Sequence, residues 1–442
     1  MLKIYNSLTN QIEPFKSIHP NSVSLYVCGP TVYDNIHIGN ARPVVFFDLL
    51  KSYLIYLGYQ VTYASNVTDI DDKIVKKAKE EQVSEVEVAN KYTKLFFEVT
   101  EQLNAAKPDL VPLATDYINQ IIDYIKNLIK NKYAYLSKSG IYFRVAKIKE
   151  YGQLSKQNIE ALKLGVRIEL ESDKESPIDF ALWKFVDEGV SYESPWGAGR
   201  PGWHTECAVM THELFGEKID IHGGGSDLKF PHHENEIAQS VAHNHHQLAN
   251  YWMHVGRINF ANQKMSKSLG NTILAKDLIS KYTGRAYRYY LLNYHYRQPI
   301  DFNEEQMVLI IKNYDKIISS LIKANFNLLR NGAKNYEIDQ VVIEQFKDLM
   351  NDDLKTPNVI TLLDDLAKTL NKNLNKFDGL FELATTYQTI VEILNILKLL
   401  PELSVVTSAD LKVYDQWELA KKNQDYQQAD QLRAILMTKG YI

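Results

Sequence analysis

Val23-Ser24-Leu25-Tyr26-Val27-Cys28-Gly29-Pro30, then His37-Ile38-Gly39-Asn40 and the run from Ala41 to Leu57, is the stretch that decides the fold of this chain. Val23 to Val27 is a short apolar run and predicts a strand. Ala41 to Leu57 carries apolar residues at helical spacing and stops at Gly58, a residue suited to a left-handed cap. Gln60 to Val67 is β-rich. Strand, helix and strand in this order predict a βαβ unit and a parallel sheet. Cys28-Gly29-Pro30 then falls just after the first strand and His37 to Asn40 just before the helix, at the edge where open α/β sheets bind ligands.

Outward from this unit the pattern breaks and resumes. Thr115 to Asn131 reads as a helix, and Tyr133 to Leu136 with Ile141 to Phe143 reads as a hairpin around Ser137-Lys138-Ser139-Gly140. This block is expected to be an insertion that splits the sheet domain. The second half resumes near Gly202: Lys218 to His222 is a predicted strand ending in Gly223-Gly224-Gly225, Pro231 to His243 a predicted helix with proline first, and Tyr251 to Phe260 further strand. After Phe302 the β signal vanishes. Asn303 to Gln306 resembles a capping box, with Met307, Ile310, Ile311, Tyr314, Ile317 and Leu321 following at helical spacing. That helix is expected to end near Gly332, another to start at Thr356-Pro357, and a third to cover Ala384 to Leu400. The fold class is therefore α/β: a Rossmann-like parallel-sheet domain with an insertion, followed by an α-helical bundle and a small C-terminal unit. The boundaries read as 1–104 and 196–256 for the two halves of the sheet domain, 105–195 for the insertion, 257–302 for a connecting region with the Lys264 loop, 303–400 for the bundle and 401–442 for the last unit.

The bulk numbers agree with a multi-domain globular protein. At 442 residues the chain is too long for one ordinary core, so roughly two to four domains are expected. A net charge of −4 gives no global attraction to nucleic acid, so any such contact must come from local patches. No apolar run approaches the roughly 20 residues needed to cross a bilayer, and Met1 to Asn10 shows no signal-peptide pattern. Cys28 and Cys207 are the only cysteines. They make no disulfide framework, and a cytoplasmic protein whose cysteines bind metal or do chemistry is expected.

Four residues suggest a metal centre. His232 and Glu236, four apart in a predicted helix, share one face. Cys207 and Cys28 both lie near the expected ligand edge. Two thiolates, an imidazole and a carboxylate suit zinc. A lone cysteine is more often a small buried hydrophobe, and His204, His233 and Glu234 are rival ligands. Nucleotide chemistry has its own candidates. At a helix N-terminus, dipole and free N–H groups favour phosphate. Gly39 lets a base lie against the backbone, and His37 is placed to donate to an α-phosphate. Lys264 and Lys267, with Ser266 and Ser268, are able to clamp a pyrophosphate, though a short Lys/Ser loop is ordinarily solvated surface. Gly223-Gly224-Gly225-Ser226-Asp227 suits a ribose or phosphate, with Asp227 accepting from sugar hydroxyls; a flexible turn is its plain alternative.

Taken together these stretches resemble the cysteinyl-tRNA synthetase family of class I aminoacyl-tRNA synthetases. The resemblance runs over nearly the whole chain. It rests on Tyr26 to Asp34, His37 to Asn40, Asn66 to Lys73, Gly202 to Cys207, Asp220 to Asp227, Phe230 to Glu236 and Lys264 to Ser268. The resemblance implies ATP-dependent ligation of L-cysteine to tRNA(Cys) through a cysteinyl-adenylate. It implies one Zn²⁺ per chain on Cys28, Cys207, His232 and Glu236, and Mg²⁺ with ATP. Thr68, Trp203 and Cys28 would meet the amino acid. His37, Gly39, Asn40, Gly224, Asp227, Lys264 and Lys267 would serve ATP, and a monomer is expected. Zinc would separate cysteine from serine, since roughly 10⁴-fold rejection needs on the order of 5–6 kcal/mol and a metal–thiolate bond is of that order. No hydrolytic editing domain is therefore expected. Two departures stand out. The class I signature usually ends in a second histidine, where this chain has Asn40. Relatives also tend to continue past Asp425 to Arg433, whereas this chain stops at Ile442, so a shortened anticodon-binding unit is expected, with Trp417, Lys421, Lys422, Tyr426 and Arg433 as candidate RNA contacts. Two rivals remain: a cysteine ligase passing the same adenylate to an amino sugar, and a catalytically dead, zinc-stabilised RNA-binding protein.

Overall fold

The expected strand, helix and strand form. After a small antiparallel pair, β1 (Lys3–Asn6) and β2 (Gln11–Pro14), come β3 (Ser22–Val27), α1 (Ile38–Tyr56) and β4 (Gln60–Ser65). The computed structural model describes residues 1–442 except 158–172, 217, 261–262, 265–271, 334–336 and 377–378, and only the backbone of 263–264. The chain divides into two units, 3–281 with 296–301 and 282–295 with 302–442.

In the first unit the helices α2 (Asp72–Glu81), α3 (Glu85–Gln102) and α4 (Ile118–Lys130) precede the strands β5 (Ala134–Leu136), β6 (Gly140–Phe143), β7 (Phe180–Phe185) and β8 (Gly199–Pro201). These four strands form an antiparallel sheet in the order β5-β6-β7-β8. The sheet extends to Pro201, past residue 195 where the insertion was read to close, because β8 is short and its Gly-Arg-Pro sequence carries little strand signal. Gly199 belongs there because a Cβ would lie 2.3 Å from the Lys184 carbonyl oxygen.

The chain then returns to the parallel sheet through α5 (Trp203–Phe215), β9 (Ile219–Gly225), α6 (Glu234–Asn244) and β10 (Ala249–Val255). The order is β10-β9-β3-β4, all parallel. Asp220 locks the central pair: its carboxylate, 2% exposed, accepts from Ile18 N (2.6 Å), Ser24 N (2.8 Å) and Ser24 Oγ (2.8 Å). One expectation holds here and two shift. As expected, the glycine run ends the strand, as the last three residues of β9. Gly223 pairs with Val27 and Met253 in the centre of the sheet, where a Cβ would meet the Phe47 ring at 2.2 Å. Pro231 does not open the regular helix: Phe230-Pro231 is a cis peptide, Phe230 is extended (φ −141°, ψ 134°), and α6 begins at Glu234. The strand read over Tyr251 to Phe260 is broken at Gly256 and continues as β11 (Ile258–Phe260).

The second unit is helical. Asn303 caps α7 (Glu304–Arg330), its Oδ1 accepting from Gln306 N at 2.9 Å, and Met307, Ile311, Tyr314, Ile317 and Leu321 are buried along one face. Gly332 takes φ +67° just beyond the helix. Then come α8 (Gln340–Asn351), α9 (Thr356–Leu374), with Pro357 in its first turn, and α10 (Leu380–Ile396). The last two helices, α11 (Ser408–Lys422) and α12 (Tyr426–Thr438), form a hairpin held on α7 by Phe326, Tyr414, Trp417, Leu436 and Tyr441. Trp417 is partly buried there with Lys421 Nζ 4.1 Å above its ring, whereas Tyr426 is 70% exposed. Among the described residues no helix is long and apolar enough to cross a membrane.

Candidate functional site

The carboxyl ends of β3, β4 and β9 and the start of α1 surround one cavity of roughly 410 Å³. Cys28 leaves β3 with its N–H on the Gly223 carbonyl (3.1 Å). Gly29 follows so close to β4 that a Cβ would lie 1.7 Å from the Asn66 carbonyl oxygen. Asn66, 1% exposed, then ties the floor together: its Oδ1 accepts from Gly29 N (2.9 Å) and lies 3.7 Å from the Cys207 sulfur, and its Nδ2 donates to Thr68 Oγ1 (3.3 Å).

At the start of α1 the sequence builds its own cap. His37 is the N-cap, its Nδ1 accepting from Gly39 N at 3.1 Å, and the Asn40 side chain accepts from His37 N at 3.3 Å. The helix therefore begins at Ile38, and Gly39 and Asn40 lie in its first turn rather than before it. An accepting Nδ1 puts the neutral ring's proton on Nε2, which makes that atom a donor. Asn40 spends its oxygen on the cap and keeps two amide hydrogens.

Cys28, His37, Gly39, Asn40, Trp203 and Asp227 line the cavity. Thr68 is buried beneath it, with Oγ1 donating to the equally buried Glu206 at 3.2 Å. Gly224 lies within β9 beside the cavity; a Cβ there would meet Leu228 at 2.8 Å and the His233 ring at 3.0 Å. Of Lys264 only the backbone is described, in a two-residue strand against β11, and Lys267 lies outside the described residues.

Behind the cavity, Cys28, Cys207, His232 and Glu236 bring four donor atoms within 4.8 Å of one another. Cys207 stands on α5, buried like His232 and Glu236. His232 Nε2 lies 2.9 Å from Glu236 Oε1 but without hydrogen-bond geometry, and the Cys28 thiol points at the same oxygen (3.3 Å). The electrostatics are divided. Burial pushes the Cys207 thiol up, but donation from Cys28 and the charge on His232 outweigh it and bring it to about 6. Burial and the Cys207 sulfur hold the Cys28 thiol well above the usual range. Burial pulls His232 down, but Glu236 and Cys207 outweigh it and raise it to about 10. Glu236, though buried, is held well below the carboxylate range by His222 and His232. The donors face one another at short range, which is the arrangement a soft dication satisfies.

Of the rival ligands, His204 and Glu234 face elsewhere. His204 Nδ1 is 2.9 Å from His232 Nδ1, where it orients that ring, and Glu234 accepts from Leu154 N and Ser155 N. Sequence reasoning passed over Asn66, Glu206 and above all His222, whose Nε2 lies 3.0 Å from Glu236 Oε2. His222 precedes the glycine run on a central strand, where a period-two reading does not tell which buried face it serves.

Residues 14–312 match the family model for the class I (C) tRNA synthetase catalytic domain, and 345–400 match that for the DALR domain. The chain is 53% identical to a cysteine--tRNA ligase of Acholeplasma laidlawii and 47% identical to one of Onion yellows phytoplasma, each over 442 residues covering 100% of both chains. It is 43% identical to that of Staphylococcus aureus over 100% of this chain and 97% of the relative. Among solved structures, Mycobacterium tuberculosis methionyl-tRNA synthetase with methionyl-adenylate superposes with a TM-score of 0.65, at 14% identity, over 85% of this chain and 90% of that one, which is a likeness of fold. With a catalytic-domain match over more than half its length and full-length relatives far above chance identity, the chain belongs to the cysteine--tRNA ligase family of class I tRNA synthetases.

Proposed function

We propose that the protein joins L-cysteine to the 3′ end of tRNA(Cys) in two steps, using one Zn²⁺ per chain and ATP with Mg²⁺. The observation that carries this reading is the junction of a thiol-and-imidazole donor set with a helix N-terminus at one cavity, with Cys28 common to both.

In the first step the cysteine carboxylate attacks the α-phosphate of ATP, and pyrophosphate leaves. The protein supplies position and charge rather than a nucleophile. His37 donates from Nε2 toward the α-phosphate, Asn40 donates its amide hydrogens, and the first N–H groups of α1 add their partial charge. Gly39 admits the base, Gly224 and Asp227 the ribose, and Lys264 and Lys267 draw off the pyrophosphate. In the second step a ribose hydroxyl of the tRNA attacks the acyl carbon and AMP leaves. A zinc ion on Cys28, Cys207, His232 and Glu236 would supply a soft partner for the substrate sulfur that serine's hydroxyl satisfies poorly. Trp203, whose ring centroid is 4.1 Å from that of His232, walls the amino-acid end. Thr68 holds the floor from below.

The helical unit fits tRNA. Its last hairpin offers Tyr426, Lys422 and Arg433 on the surface, while Trp417 and Lys421 are already engaged with each other. Phosphate contacts and stacking on single-stranded bases would operate there. The decisive experiment is charging of tRNA(Cys) with cysteine, with serine and with an amino-sugar acceptor, before and after chelation. Cysteine-specific, chelator-sensitive charging is expected. Acceptance of the amino sugar without tRNA charging decides for the rival ligase. Failure of cysteine to drive pyrophosphate–ATP exchange decides for a dead RNA-binding protein.

A further inference from the structure

The polar interior behind Cys28 holds more donors than one ion needs. His222, in the middle of β9, and His233, in the turn before α6, are both fully buried. With Cys28 and Glu236 they bring a second set of four donor atoms within 4.8 Å of one another. This set shares Cys28 and Glu236 with the first and replaces Cys207 and His232 by two imidazoles. Glu236 sits on the boundary and shows one oxygen to each side: Oε1 is 2.9 Å from His232 Nε2, and Oε2 is 3.0 Å from His222 Nε2. The Cys28 sulfur is 3.3 Å from Oε1 and 3.4 Å from His222 Nε2.

An independent observation points to a ligand on the His222 side. His233 Nδ1 is 2.8 Å from His254 Nε2, and His254 Nδ1 is 2.9 Å from Ser7 Oγ. Read as one chain of donors, the His233 Nδ1–H is given to His254, and the His254 Nδ1–H to Ser7. In that direction the lone pair falls on His233 Nε2, an atom that is fully buried and has no hydrogen-bond partner. Orienting one ring nitrogen through an outer acceptor while the other stays bare is how proteins prepare a metal-ligating histidine.

We propose that Cys28, His222, His233 and Glu236 form a second, deeper position for the single soft-to-borderline dication of this site, alternative to the position on Cys207 and His232. The inference rests on the metal reading of the first set. Because both sets need the same thiol and the same carboxylate, one ion occupies one position at a time. The deeper shell has one sulfur and two nitrogens, and its His222 approaches Glu236 Oε2 whereas His232 approaches Oε1. An ion held there stays in the protein but off His232, the ring beside Trp203.

The test is zinc content and zinc–sulfur coordination number, by elemental analysis and X-ray absorption, on the intact chain. The unsubstituted protein is expected to carry one zinc. Cys207→Ala is expected to keep close to one zinc with one sulfur fewer in its shell, and to lose cysteine-dependent pyrophosphate–ATP exchange. Adding His222→Ala to it should lower zinc content by at least about tenfold, whereas His222→Ala alone should leave zinc content unchanged. His232→Gln opens the same position by a second route should Cys207→Ala fail to fold. A folded Cys207→Ala or His232→Gln protein without zinc overturns the proposal and leaves the first site standing. So does zinc in Cys207→Ala that is insensitive to His222→Ala, or two ions in the unsubstituted chain. An unsubstituted protein that binds no zinc overturns both.

Discussion

Gly29→Ala tests whether the close approach of two strand ends sets the chemistry. A Cβ at position 29 would lie 1.7 Å from the Asn66 carbonyl oxygen and 2.8 Å from its carbon, both backbone atoms, with the Ser65 hydroxyl at 3.2 Å. Side-chain carbons do not approach backbone oxygen closer than about 3.0 Å, so the Cys28–Gly29 segment and the end of β4 must part by at least 1.3 Å. That displacement breaks the Gly29 N–H bond to Asn66 Oδ1 and carries Cys28, one residue away, off its three neighbours in the donor set. Metal and catalytic geometry tolerate about 0.5 Å, and a misplacement of about 1 Å costs on the order of 100-fold. The sheet itself does not depend on Gly29, since β3 ends at Val27. The expected result is a protein with an unchanged far-UV spectrum and cysteine-dependent pyrophosphate–ATP exchange lower by about 100-fold or more, with zinc affinity lowered as well. Exchange within about threefold of the parent would refute the reasoning, because the cavity floor would then be soft enough to absorb a methyl group.

Further outcomes follow from single groups. Asp220→Ala removes a buried carboxylate that accepts three hydrogen bonds from Ile18 and Ser24, and leaves their donors dry; a loss of about 3–5 kcal/mol in urea unfolding of the first unit is expected. His254 is buried neutral, chiefly by desolvation, with its pKa pulled down to about 3. The unfolded chain takes up that proton below about 6.5 and the folded one does not, so this contribution is intact above pH 6.5 and is lost as pH falls from there toward 3. About 2 kcal/mol should be missing at pH 5, and His254→Asn should flatten the profile; an unchanged slope in that variant would count against it. Uptake of a dication by the first donor set must expel the protons of Cys28, held high chiefly by burial, and of His232, at about 10. Calorimetry in buffers of different ionisation enthalpy at pH 7.5 should therefore report about two protons released per zinc, with affinity rising as pH rises; release of none would contradict the assigned protonation.

Much of this architecture was written in short-range signals. The first βαβ unit, the Asn303 cap and the Pro357 helix start each rest on one residue type with one physical job, and each formed close to where it was expected. Misreadings arose where one sequence feature serves two masters. Gly223 is a glycine because Phe47 packs against it, a contact between elements far apart in sequence that the run alone does not reveal. Pro231 looked like a helix opener because a cis peptide leaves no mark in the sequence. His222 was passed over for the same reason as Glu206: a buried polar residue on a central element is indistinguishable from core filler until its partners are known. Thr68, expected on the cavity wall, sits under it, because its hydroxyl is taken by Glu206 and Asn66.

Asn40 shows how local structure and chemistry share one side chain. In the His37 cap its oxygen accepts from the His37 backbone N–H at the helix start. A histidine in that place would need an unprotonated ring nitrogen to do the same, and so would surrender the positive charge that makes it useful beside a phosphate. The amide needs no such compromise. Its oxygen always accepts and its nitrogen always donates, whatever the pH. The cost is the loss of a full charge, and α1 compensates in part, since its first turn carries no acidic residue to oppose an anion. The departure from the usual signature is thus consistent with a site in which the helix end and the lysine loop supply the charge and Asn40 supplies direction.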